Sequence, residues 1–139
     1  MTKTLLLAVA AAALSAAGAL AQPSGRLVLY TSQPDADAQR TVDAFMAAYP
    51  EVEVDWIRAG TTQVMARLAA EFEAGDPQPD VLLIADMVTM EGLERDGRLM
   101  AYPEAEISAY DPAIMDPQHH YFSTKLITTG IVYNDAAPM

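Results

Sequence analysis

The chain has 139 residues, no cysteine and a formal net charge of −11, with 19 acidic side chains against 8 lysines and arginines. A surface of that sign repels phosphate backbones and excludes nucleic acid as an expected partner, yet a cleft can still hold a small anion through local donors. With no disulfide to staple it, a domain of this size must rest on its apolar core.

Residues 1–21 read as a cleavable secretory signal. Lys3 charges a short n-region, Leu5 to Leu14 run apolar without interruption, and Ala19-Leu20-Ala21 is an A-x-A cleavage signature with Gln22 as the new N-terminus. The apolar part is short for a membrane span, and Pro23-Ser24-Gly25 forms no stop-transfer sequence. The expectation is a periplasmic protein without stable membrane insertion after cleavage. Loss of Lys3 alone among the charged residues takes the net charge from −11 to −12. No cysteine follows the signal, which argues against a lipid anchor.

Leu27-Val28-Leu29-Tyr30 is an apolar run bounded by Gly25 and Thr31-Ser32, the pattern of a strand buried on both faces. From about Asp37 to Tyr49 the period becomes helical, with Ala38, Val42, Phe45, Met46 and Tyr49 on one face, Asp35 and Asp37 as acidic caps and Pro50 as the stop. Val52, Val54 and Trp56 alternate with acidic residues, as in a half-exposed strand. The small-residue loop Ala59-Gly60-Thr61-Thr62 opens a second helix, whose apolar face is read as Met65, Leu68, Ala69 and Phe72 and whose end is Gly75-Asp76-Pro77. Asp80 introduces a third apolar strand, Val81 to Ile84. A third helix follows from about Met87 to Asp96, with Gly97 as its C′ residue.

Strands alternating with helices predict an α/β fold with a mostly parallel sheet and right-handed crossovers. Residues 102–120 are rich in Pro, Asp and Tyr and read as irregular surface, and Leu126 to Tyr133 as a last strand-like segment. The sequence stops just after that segment, which reads as a truncation.

In an open α/β sheet ligands bind beyond the carboxyl ends of the strands. Three segments fall there: Thr31-Ser32-Gln33, Gly60-Thr61-Thr62 and Ala85-Asp86-Met87. Hydroxyl and amide groups beside helix N-termini suit an anion, and Gly60 permits close approach of a ligand to the backbone. Plain helix capping by Ser32, Thr61, Thr62 and Asp86 accounts for the same residue types.

Other chemistry finds little support. Neither Ser32 nor Ser123 lies in a G-x-S-x-G elbow, and no catalytic set, cofactor or metal site is predicted. His119 and His120 are adjacent, and neighbours in extended chain point apart, so a solvated loop is expected there. Met87, Met90 and Met100 read as core. Tyr102, Tyr110 and Tyr121 read as surface or interface rings, and Glu104 and Glu106 as a solvated loop.

The opening strand Leu27-Val28-Leu29-Tyr30-Thr31-Ser32 resembles that of bacterial extracellular solute-binding proteins of the ferric-iron type. In order along the chain, Ala59-Gly60-Thr61-Thr62, Met65 to Glu71, Pro79-Asp80-Val81, Leu93 to Leu99 and Gly130 to Asn134 match as well. The resemblance implies a periplasmic-binding-protein-like (type II) fold, with residues 22–130 as a first lobe, residues 131–139 beginning a hinge crossing, and a second lobe missing. It further implies a monomeric, non-enzymatic receptor that passes a small-molecule solute to the permease of an ABC importer. Tight binding is not expected of a first lobe alone.

Where iron-binding members with a histidine ligand carry it, this chain has Pro34, and their acidic ligand falls nearest to Ala85, one place before Asp86. Ser32, Thr61 and Thr62 suit an anionic head group better than a hard cation, so a phosphate- or phosphonate-bearing solute is expected. Thr31, Gln33, Thr128 and Thr129 are secondary candidates for its site. The alternatives are thiamine, ferric iron held by tyrosines of a second lobe, a secreted α/β enzyme with its catalytic residues elsewhere, and a purely structural domain.

Overall fold

The computed structural model describes residues 23–127 and Gly130. The expected signal at residues 1–21, the candidates Thr128 and Thr129, and the hinge at 131–139 lie outside the described residues. The chain divides into two compact units, one ending at Leu83 and the other starting at Ile84.

The first unit runs β1 (Gly25–Thr31), α1 (Asp35–Ala48), β2 (Val52–Arg58), α2 (Thr61–Ala74), β3 (Val81–Leu83). All pairings are parallel, in the order β2-β1-β3. The α/β class and the parallel sheet are therefore as expected. β1 is the middle strand, and Leu29, Tyr30 and Thr31 are buried in succession. Consecutive strand residues point to opposite faces, so both faces of β1 are covered. The chain steps from β1 to β2 in one direction and from β2 past β1 to β3 in the other. With right-handed crossovers, this places α1 and α2 on opposite faces. Ala38 and Val42 bury α1, Val64 and Leu68 bury α2.

Several expectations need correction. β3 ends at Leu83 and, among the described residues, is an edge strand with Val81 exposed, because none of them pairs with its outer side. The buried stripe of α2 is Val64 and Leu68, with Ala69 exposed. α1 begins at Asp35 behind Pro34, which offers no side-chain cap; Asp35 and Asp37 sit inside the first turn, where they favour the helix dipole instead. Phe45, Met46 and Tyr49, expected in its buried face, are exposed. Met87 and Met100 are exposed rather than core, and Leu126 and Ile127 are exposed and outside any strand.

Both Gly75 and Gly97 end helices in the left-handed region, at φ 74° and 66°. Gly75 donates to Phe72 O and Asp76 to Glu71 O; Gly97 donates to Glu94 O and Arg98 to Leu93 O. These paired bonds satisfy the last carbonyls of α2 and α3.

The second unit holds α3 (Met87–Arg95), a 3-10 turn at Pro112–Ile114 and an antiparallel bridge between Met115 and Phe122. Between them the chain is irregular, as its Pro and Asp content predicts. No helix among the described residues is long and apolar enough to cross a membrane.

Candidate functional site

At the carboxyl edge of the sheet, Thr31 of β1 registers with Arg58 of β2, and Ala59 N–H donates to Thr31 O at 3.2 Å. The loops that leave β1 and β2 diverge from that point towards α1 and α2. Ligands of such sheets bind beyond the carboxyl ends of the strands, where these two loops lie. Thr31-Ser32-Gln33 leaves β1 there and Gly60-Thr61-Thr62 opens α2 just after β2.

The residues there divide by what they already do. Thr31 is fully buried; its hydroxyl donates to Leu83 O at 2.9 Å and accepts from Gln33 N–H at 3.1 Å. Ser32 N–H donates to the same Leu83 carbonyl at 3.1 Å. Gln33 is buried, and its carbonyl accepts from Arg58 Nε at 3.0 Å. The Thr31 hydroxyl thus knits the strand ends together.

Gly60 is the N-cap of α2. Its N–H donates to Gln63 Oε1 at 2.8 Å, and its carbonyl takes the first helical bond, from Val64 N–H, at 3.0 Å. A Cβ at Gly60 would sit 2.6 Å from Gln63 Oε1. The hydroxyls of Thr61, half-buried, and Thr62, exposed, make no hydrogen bond among the described residues. The N–H groups of the first turn point out of the helix in the same place.

Arg58 is a component the sequence reading passed over. Besides Gln33 O it pairs with Asp35 at 3.5 Å, and its side chain stays 43% exposed, enough to turn towards a ligand. Its signal was present: it is the cation that closes a strand immediately before the Gly-Thr-Thr loop.

Asp86 belongs to the second unit, where it is the N-cap of α3. One carboxylate oxygen accepts from Val88 N–H at 3.1 Å and the other from the Thr89 hydroxyl. Its acidity serves the helix.

The second unit also gathers three ligand-type side chains far apart in sequence. His120 Nδ1 lies 3.1 Å from Asp116 Oδ2 and 3.4 Å from Glu94 Oε1, and the three ligand atoms fall within 4.8 Å of one another. Asp116 is buried and accepts from the N–H groups of Gln118 at 3.1 Å and His120 at 2.7 Å. Burial pushes its carboxyl up, but those two N–H groups and the imidazole outweigh it and hold the pKa below the ordinary value. The Tyr121 hydroxyl is pushed above its usual range by burial and then by the charges of Glu91, Asp116 and Glu94. His119, at φ 65°, places its Nδ1 without a partner among the described residues. The expected solvated histidine loop is therefore a half-buried, internally bonded one. Only the i,i+4 spacing of Asp116 and His120 hinted at it.

An open hollow along the second half of α2, lined by Arg67, Glu71, Asp76 and Gln78, lies towards the opposite edge of the sheet. The bonds inside it tie α2 to β1 and leave it no evident binding role.

No curated protein matches the chain. The family model described as bacterial extracellular solute-binding protein matches residues 30–137, which take in the loops after β1 and β2 and the whole second unit as described. The chain accordingly belongs to the bacterial extracellular solute-binding proteins, the generally non-enzymatic components that capture substrate for ABC-type importers.

Proposed function

We propose that this protein captures a small organic anion, one bearing a phosphate or phosphonate, at the carboxyl edge of β1 and β2. The observation that carries the reading is the register of Thr31 with Arg58 at this edge, which sets the two loops on either side of a proposed crevice, with Arg58, the Thr61 and Thr62 hydroxyls and the first N–H groups of α2 on its β2 side. A cation, hydroxyls and a helix N-terminus together favour an anion over a metal ion, which needs anionic oxygen ligands. Ser32 and Gly60 form the close walls, whereas Thr31 and Gln33 support them from beneath. Residues 22–130 act in this reading as one lobe of the receptor. The signal at 1–21 takes it to the periplasm, where it works as a monomer with a permease partner.

Thermal shift with a sugar phosphate, an aminoalkylphosphonate, thiamine and ferric citrate, each carried to millimolar concentration because one lobe alone binds weakly, tests the ligand class, since a ligand stabilises the state it binds. The expected outcome is a saturable rise in Tm with one of the two phosphorus compounds, reduced in Arg58→Gln. Stabilisation by ferric citrate alone, with the visible absorption of a ferric–tyrosinate complex, contradicts the reading.

A further inference from the structure

We propose that Glu94, Asp116 and His120 form a site for one divalent transition-metal cation, with zinc the best fit, that pins the 116–122 loop to α3. Bonds of about 2.1 Å to nitrogen and oxygen place neighbouring ligand atoms roughly 3.0–3.4 Å apart in tetrahedral or octahedral geometry. His120 Nδ1 stands at 3.1 Å from Asp116 Oδ2 and 3.4 Å from Glu94 Oε1, inside that interval. One imidazole with two carboxylates is a donor set that zinc accepts, leaving a fourth position for water.

Asp116 is 3% exposed, and the Glu94 and His120 side chains are 21% and 22% exposed. Among the described residues neither carboxylate is paired with a lysine or arginine; both ion pairs are to His120. Two poorly hydrated carboxylates against one imidazole leave a negative excess. A buried charge of this kind is costly unless compensated, and a divalent cation supplies what the imidazole alone does not. Asp116 is fixed by the Gln118 and His120 N–H groups, and the loop closes on itself through Asp116 N–H to Tyr121 O at 3.3 Å. Two of the three ligands are thereby set in place before the ion arrives.

The test uses the full chain without an affinity tag, stripped by chelator and titrated with Zn²⁺, followed by Tm, and with Co²⁺, followed by visible absorption. One equivalent of Zn²⁺ is expected to raise Tm, and Co²⁺ to develop a d–d band, while Mg²⁺ at equal concentration does neither. Glu94→Gln, on the half-exposed face of α3, is expected to weaken Zn²⁺ binding tenfold or more. His120→Gln abolishes the Co²⁺ band, and Glu91→Gln leaves affinity within twofold. Absence of saturable Zn²⁺ binding overturns the proposal, as does wild-type affinity in Glu94→Gln, which places the ion elsewhere on the acidic surface.

Discussion

The Tyr30 hydroxyl donates to Glu71 Oε1 at 2.7 Å, joining the middle strand of the sheet to α2. Arg67 donates to the same oxygen at 2.8 Å and lies 5.0 Å from the centre of the Tyr30 ring, while Gln78 N–H reaches Glu71 Oε2 at 3.1 Å. A single carboxylate therefore holds a strand, a helix and the α2–β3 loop.

Removing either partner has a different cost. Glu71→Ala leaves the buried Tyr30 hydroxyl without an acceptor, which costs about 1–3 kcal/mol. Tyr30→Phe leaves Glu71 with Arg67 and Gln78 and is expected to cost about 1–2 kcal/mol. The double variant should lose less than the sum of the two, because the shared bond is counted in each. Urea denaturation of the three variants gives the coupling; strict additivity contradicts the knot.

The same carboxylate gives a signed pH dependence. Burial raises the Glu71 pKa, but the bonds from Tyr30, Arg67 and Gln78 outweigh it, leaving it below the ordinary 4.5. The unfolded chain then takes up this proton before the folded one does, so the contribution is present above the unfolded value and lost as pH falls through the folded value. The stability gap between wild type and Glu71→Gln is expected to be constant from neutral pH down to about 5 and to shrink below that. Denaturation midpoints of both proteins across that range check it. A gap that widens on acidification contradicts the assignment.

Gly60 offers a test of local capping. Its backbone, at φ −63° and ψ 153°, suits any residue, so Gly60→Ala introduces no backbone strain. The new Cβ would meet Gln63 Oε1 at 2.6 Å and displace that side chain from the Gly60 N–H. The expected loss is about 0.5–1 kcal/mol, the scale of a helix cap. Gln63→Ala is expected to cost about as much, and the double variant little more than either. Independent, additive losses would mean that the two residues do not share this bond.

How far the sequence reveals this architecture depends on where polar residues are hidden. β1 and the ends of α2 and α3 were legible, because a bare apolar run and a glycine past a helical pattern each have one strong physical meaning. The α2 face was misread because Glu71 is half-buried and satisfied by Tyr30, so hydropathy shifted the stripe towards Ala69. The apolar run of β3 marks a strand but not its place, since edge and centre strands can share such a run; only pairing distinguishes them. In the crevice the residue types were readable, but not which were already engaged. Thr31 and Thr61 look alike in sequence, yet only Thr31 is committed to Leu83 and Gln33. Glu94, Asp116 and His120 are separated by an irregular stretch that no periodicity bridges.

That difference between the two threonines separates scaffold from site. Thr31→Val keeps the shape but leaves Gln33 N–H without its acceptor at a buried position, an expected loss of about 1–3 kcal/mol. Thr61→Val removes a hydroxyl that bonds nothing among the described residues, so stability is expected to change by less than about 0.5 kcal/mol. If the β1–β2 crevice holds the anionic group, Thr61→Val should weaken binding of the stabilising phosphorus compound about fivefold or more at unchanged Tm without ligand. Thr31→Val should lower Tm first and affect binding only through it. Calorimetric titration beside thermal denaturation of both variants reads the two effects separately. The reverse pattern, with Thr31→Val specific to binding and Thr61→Val specific to stability, would move the ligand away from the start of α2.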